Sequence, residues 1–359
     1  MCEDQPIHFI KHSFTFKGMV LVLIFVSLIS CDTVGYYSQA ARGQLAIVFA
    51  REDIQHLLTQ QNLSPLLRQN FDTVLSIRSF AEHELGLPVY ENYLTYVDVE
   101  RAHVVWNVFA APEFSTNPLD WCYPIAGCVA YRGYFSEQAA ENFANKLRGQ
   151  GFDVYTGGVD AYSTLGWFDD SLLSTVLSRA PYQLAGLIFH ELSHQIVYLP
   201  GDTTFNESFA TAVEREGLRR WLLVNNEPEK MVIAEIDRGR QQDFVELITR
   251  FRDEFDSLYQ EDLCAVMMRS EKQQLQVELL SEYKKLKQQW DGYAGYDGWF
   301  SRPLNNAQLS TVSSYNDLVP FFLELLQASN GDLNKFYEEV SRLAELEKSE
   351  LDEVTADYR

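Results

Sequence analysis

The stretch LAGLIFHELSHQIVYLPGDTTFNESFATAVEREG, residues Leu184 to Gly217, decides how the rest of the chain is read. Its first part is apolar at nearly every position up to Phe189 and then runs into His190-Glu191-Leu192-Ser193-His194. On a helix, residues four apart share one face, so this spacing predicts that both imidazoles reach one ion at roughly 2.0–2.1 Å, the length of a zinc–nitrogen bond. Glu191 is not expected to ligate. It is expected to take a proton from the water that such an ion activates. With His at about 2% and Glu at about 6% of residues, the pattern arises by accident on the order of one time in a hundred in a chain this long, so it needs support.

The second half of the stretch supplies that support. Pro200-Gly201 marks a loop between two predicted helices, Ala180 to Val197 and Glu207 to Val224. Glu207, thirteen residues past His194, is expected to open the second helix and to be the third ligand of a single Zn2+ per chain. Its competing reading is a first-turn carboxylate favoured by the helix dipole. Glu214 lies seven residues on, on the same face. It reads either as a group that orients a ligating His through a hydrogen bond or as a solvated carboxylate. Three ligands, an open fourth position and a carboxylate base together predict metal-assisted hydrolysis of peptide bonds, with Glu191 as base and then as acid to the leaving amine. The alternative, a non-catalytic metal-binding protein, is disfavoured by Glu191, because structural zinc usually has a closed four-ligand shell richer in Cys.

Upstream, residues 38–85 read as helical, interrupted at Pro65 and ended by Gly86-Leu87-Pro88. Short β-branched and aromatic runs follow: Tyr93 to Val99, Val104 to Ala110, Cys128 to Phe135, Phe152 to Thr156 and Val159 to Phe168. Ser136 to Arg148 reads as a Ser-capped helix between two of these strands. After Trp167 the chain is helical almost to its end: 228–289 reads as helices packed as a hairpin, 291–300 as a break, and 315–328 and 331–347 as closing helices. The expected class is therefore α+β, a mixed β-sheet with an active-site helix and then a mostly helical C-terminal half. Three segments are expected: 1–30 as a leader, 31–168 as helices plus sheet, and 169–359 as the helical region with the metal site, continuous with 31–168.

The 359 residues are 46% hydrophobic with 11 Pro and 19 Gly, enough to pack a core without low-complexity segments. A net charge of −22 argues against a nucleic-acid partner, because that affinity comes largely from Lys and Arg releasing phosphate counterions. The expected partners are a peptide substrate and, through lipid, a membrane; nothing in the sequence sets an oligomeric state. The apolar run Met19 to Ile29 is too short to cross a hydrocarbon core of about 30 Å and reads as the middle of an export signal.

Leu28-Ile29-Ser30-Cys31 resembles a bacterial lipobox, in which the Cys is acylated and becomes the new N-terminus. Asp32 resembles a signal for retention at the inner membrane. The implied location is the bacterial cell envelope, lipid-anchored and facing the periplasm. In that oxidising compartment Cys122 and Cys128, flanking a Pro/Gly-containing turn, are expected to form a disulfide.

The zinc motif, together with Asn206-Glu207-Ser208-Phe209-Ala210, resembles the gluzincins, zinc peptidases whose ligands are two His and a downstream Glu, and among them aminopeptidases with Asn-Glu-x-Phe-Ala. The interval between His194 and Glu207 is shorter here. Over nearly the whole mature chain the resemblance is to a family of bacterial envelope proteins called putative aminopeptidases. It is carried by Glu84 to Pro88, Val105 to Val108, Ala111 to Phe114, Trp121 to Phe135, Ser163 to Phe168, His190 to His194 and Asn305 to Ala307.

The resemblance implies a zincin-like fold and an aminopeptidase, with an endopeptidase as the alternative. In zincins an edge strand before the active helix binds substrate backbone, and Val159 to Phe168, with Leu165 and Gly166, holds that place in sequence; a plain buried strand is the other reading. Tyr162 and Tyr315 are candidate transition-state stabilisers. Glu113 and Asp169 are candidate anchors for a substrate amine.

The lipobox reading predicts that labelled palmitate enters the wild-type chain and not Cys31→Ser. Equal labelling of the two contradicts it.

Overall fold

The computed structural model describes residues 31–123, 127–160, 169–312 and 317–358. The chain divides into two units, Met1–Val48 and Phe49–Arg359. What is described of the first is helix α1 (Cys31–Phe49), whose last residue already belongs to the second. Among the described residues no helix is long and apolar enough to cross a membrane.

The second unit begins with a short strand β1 (Glu52–Asp53) and two helices, α2 (Ile54–Thr59) and α3 (Pro65–His83). The tract expected from 38 to 85 is thus three helices, because the second and third starts are fixed locally. The Asp53 carboxylate accepts from His56 N at 2.6 Å, and the Ser64 hydroxyl accepts from Leu67 N at 3.2 Å with Pro65 at the first position. Gly86 follows α3 with φ +66°, a conformation that costs Gly little and ends the helix.

The strands β2 (Thr95–Val97), β3 (Val105–Ala111), β4 (Trp121–Tyr123), β5 (Gly127–Val129), β6 (Arg132–Tyr134), β7 (Asp153–Val159) and β8 (Leu172–Leu173) make three small sheets, with helix α4 (Glu137–Gly149) between β6 and β7. Their orders are β1-β2-β8, in which β2 pairs antiparallel with β1 and parallel with β8; β6-β3-β7, all antiparallel; and the β4-β5 hairpin. One mixed sheet was the expectation.

Strand β7 pairs with all of β3, from Ala111 opposite Asp153 to Val105 opposite Val159. Val159 therefore ends a strand where the sequence reading started one. Gly157-Gly158 does not interrupt the ladder: a Cβ on Gly158 would lie 2.1 Å from the His103 ring, so the glycine makes room for that side chain. Residues 161–168, with Tyr162, Leu165 and Gly166, lie outside the described residues, as does Tyr315. Cys122 and Cys128 face each other across the β4-β5 ladder and are joined in a disulfide; Cys264 is free and exposed.

Helices then dominate: α5 (Pro181–Ser193), α6 (Thr203–Val224), α7 (Glu229–Tyr259), α8 (Ala265–Gln289), α9 (Asp297–Phe300), α10 (Asn306–Leu309), α11 (Val319–Ala328), α12 (Leu333–Ala344) and α13 (Lys348–Val354). The expected tract 228–289 is the pair α7 and α8, packed on each other. One core joins α3, α5, α6, α11 and α12 around the fully buried Phe71, Phe189, Phe205, Phe209, Phe322 and Phe336. Each buried Phe stabilises by about 1.5–3 kcal/mol, against about 1 kcal/mol for a typical helix cap. The position of α5 against α6 is therefore set by aromatic burial more than by capping.

A second core, with Phe251, Phe255 and Leu279, fills the α7–α8 pair. A polar clamp ties that pair to the β6-β3-β7 sheet. Lys272 Nζ donates to Asp153 Oδ2 at 2.6 Å and to the Glu113 carbonyl at 2.8 Å. Asn306 N donates to the same Asp153 oxygen at 3.0 Å, Asn306 Nδ2 donates to the carbonyls of Pro112 and Glu113, and Tyr259 donates to Asn306 Oδ1 at 2.8 Å. The strings Ala111 to Phe114 and Asn305 to Ala307 meet here, far apart in sequence and joined by these bonds.

Removing one partner of a buried pair leaves the other charge uncompensated. Lys272→Ala is expected to destabilise the chain by about 3–5 kcal/mol in denaturant unfolding. A loss below about 1 kcal/mol contradicts the clamp.

Candidate metal centre

Helix α5 carries His190 and Glu191 in its last turn and stops at Ser193, four residues earlier than the periodicity suggested. The chain tightens there: Gln195 N bonds Leu192 O at 3.1 Å and Ile196 N bonds Ser193 O at 2.9 Å. His194 still has helical dihedrals, φ −61° and ψ −17°, so the i, i+4 relation to His190 survives at the helix end. The two rings lie 5.1 Å apart, centroid to centroid. The Ser193 hydroxyl donates to the His190 carbonyl at 2.6 Å.

Helix α6 starts at Thr203, earlier than expected, with the Asp202 carboxylate accepting from Phe205 N at 2.9 Å. Glu207 is therefore in the second turn and not at the helix start, beyond the reach of the dipole that offered it a simpler reading. What sets its register is Asn206. That side chain is buried and spans the returning loop, accepting from Leu199 N at 2.7 Å and donating to Leu199 O at 2.8 Å. Gly201 makes the bend with φ +86°.

The result is a cluster in which ligand atoms of His190, His194 and Glu207 all lie within 4.8 Å of one another. His190 Nε2 is 3.3 Å from Glu207 Oε2, and His194 Nε2 is 3.8 Å from Glu207 Oε1. On the other side of the ring, His190 Nδ1 is 3.3 Å from Glu214 Oε2. Gly186 makes that approach possible: a Cβ there would be 3.2 Å from Glu214 Oε1.

The electrostatics follow from this packing. Burial pulls the His190 pKa down, but its bonds to Glu207 and Glu214 outweigh that and push it up to about 10. His194 is lowered to about 4 by burial and by the neighbouring His190 charge. The hydrogen bond with His190 lowers the Glu207 pKa against its own burial. Glu191 goes the other way: burial raises it, and the carboxylates of Asp170, Glu207 and Glu214 add to that against His190.

With the His190 Nδ1 hydrogen given to Glu214, the Nε2 lone pair faces the Glu207 carboxylate at 3.3 Å. Two acceptors this close require positive charge between them, a proton or a cation. Two imidazole nitrogens and one carboxylate, converging from two helices, are the donor set of three-ligand zinc sites, so the residues present fit the ion.

A cleft of about 550 Å³ opens beside His190, Glu191 and Glu214. Three further residues bear on the centre and were not found from the sequence. Tyr93, read as the start of a strand, is a buried non-glycine residue at φ +60°, and its hydroxyl is held protonated by burial and by the charges of Glu191 and Asp170. Asn92 holds Asp170, accepting from its backbone N at 2.7 Å. Asp170 is the neighbour of the expected amine anchor Asp169, whose carbonyl accepts from Arg51 at 2.6 Å. The other expected anchor, Glu113, is not among the residues lining this cleft, and its carboxylate accepts from Arg269 at 2.6 and 2.9 Å beside the polar clamp.

The fold and this cluster define an α+β protein with a histidine–carboxylate triad suited to a metal. The chain belongs to the family described as "Putative aminopeptidase", whose model matches residues 35–354. No curated protein and no solved structure matches it.

Proposed function

We propose that this chain is a zinc-dependent peptidase of the aminopeptidase type, built on a zincin-like core and held at a bacterial envelope by lipid on Cys31. The observation that carries the reading is the convergence of His190, His194 and Glu207 with a half-buried Glu191, outside the triad, at the edge of an open cleft. The family description supports the peptidase class.

His190, His194 and Glu207 would hold the ion, and Glu214 fixes the tautomer and direction of His190. A zinc ion held by these groups supplies a Lewis acid that polarises a carbonyl and acidifies water. Glu191 does the proton work. Its carboxyl, raised by burial, moves toward the range in which a carboxylate accepts a proton from attacking water and returns it to the leaving amine. Tyr93 stays protonated beside Glu191 and remains a hydrogen-bond donor throughout.

The two glutamates have separable roles. Glu191→Gln removes the proton acceptor and leaves the ligands, so zinc is expected to stay near one per chain while hydrolysis of a peptide library, read by mass spectrometry, falls by about 10²-fold or more. Glu207→Gln is expected to weaken zinc binding as well as activity, because an amide is a poorer ligand than a carboxylate. Full activity of Glu191→Gln, or full zinc in Glu207→Gln, contradicts the assignment.

A further inference from the structure

We propose that the cleft beside Glu191 holds its peptide by a carboxylate, with Arg179 as the group that binds it. This deepens the peptidase reading and rests on it for the use of the cleft, but it is drawn from charges outside the metal cluster.

The cleft lining is rich in charge, and nearly all of it is committed. Asp160 Oδ1 lies 2.7 Å from His103 Nδ1. Asp237 accepts from Arg240 at 3.1 Å and from the Tyr182 hydroxyl at 3.5 Å. Arg238 is engaged by both carboxylate oxygens of Glu235, and Glu214 by His190.

Arg179 differs. Its side chain is exposed on the cleft and, among the described residues, makes no hydrogen bond or ion pair. Two primary amides line the same space. Gln183 spends its oxygen on Ala180 N at 3.0 Å, which leaves its amide hydrogens as donors; Gln241 makes no hydrogen bond among the described residues.

Apart from Glu191, which has its own task, the uncommitted charge in this cleft among the described residues is therefore a guanidinium with amide donors for company. A guanidinium fork matches a planar carboxylate with two parallel bonds. The net charge of −22 repels anions at a distance, so a preference for carboxylates must come from this local contact and not from long-range attraction. A peptide offers the group from two sources, its C-terminus or an Asp or Glu side chain.

The test measures binding of short peptides to the zinc-loaded full chain carrying Glu191→Gln, which stops turnover. The probes are trialanine as the free acid, trialanine amide, and trialanine amides with Glu at each position in turn. At least one carboxylate peptide is expected to bind about 10-fold or more tighter than trialanine amide, as a hydrogen-bonded charge pair allows. The arm that gains identifies the source.

Adding Arg179→Ala is expected to cut that ratio below about twofold and leave the affinity for trialanine amide unchanged; Arg179→Lys keeps part of the preference. Acids and amides binding alike overturns the inference, as does a preference that survives Arg179→Ala or no carboxylate peptide binding at millimolar concentration. Hydrolysis by the wild-type chain is followed in parallel. Carboxylate preference without hydrolysis sinks the peptidase reading and leaves this one standing; hydrolysis without preference does the reverse.

Discussion

One imidazole between two carboxylates is the constraint around which this protein is built. Glu207 and Glu214 project from α6 two turns apart, and His190 of α5 lies between them at 3.3 Å from each. Neither carboxylate is fully exposed, so like charges at this spacing must be balanced by something positive. In the protein alone the balance is a proton on His190, with its pKa at about 10. A divalent cation held jointly with His194 and Glu207, as proposed, would replace that proton and complete the same electrostatic arrangement. Metal affinity at this site would therefore be coupled to loss of a proton.

The helices hold this geometry because their other faces are fixed. Phe189 precedes His190 and is fully buried, while Phe205 and Phe209 flank Glu207 and are fully buried as well. Sliding α6 by one residue would expose these rings and swing Glu207 off the cluster. Asn206 removes the remaining freedom by bonding both backbone groups of Leu199, and Gly186 allows Glu214 to lie across α5. Aromatic burial therefore supplies the strength of the helix pair, while two small polar or side-chain-free positions supply its register.

How much of this was readable depended on the range of the interaction. The His190 to His194 spacing is a local helical property, and the cluster forms even though α5 stops at Ser193. Glu207 was readable from its own short motif, but its turn was misplaced because Asp202 caps the helix earlier than the apolar pattern suggests. The roles of Gly186 and Asn206 were not readable, since each depends on a partner across the loop. Tyr93 and Asp170 come from a turn that brings 92–93 against 169–170, which no periodicity announces. The strand register failed at Gly157-Gly158 for a related reason: the pair signals a break only if nothing packs on it, and His103 does. Glu113 looked like a free carboxylate in sequence and is spoken for by Arg269 in space.

On the reading proposed above, His190, His194 and Glu207 together bind one zinc ion. Anomalous diffraction at the zinc edge from crystals of the zinc-loaded chain tests it directly. A single peak within about 2.0–2.2 Å of one nitrogen of each histidine and one oxygen of Glu207 is the predicted result. A peak elsewhere, or none at these three residues with zinc in excess, would contradict the account.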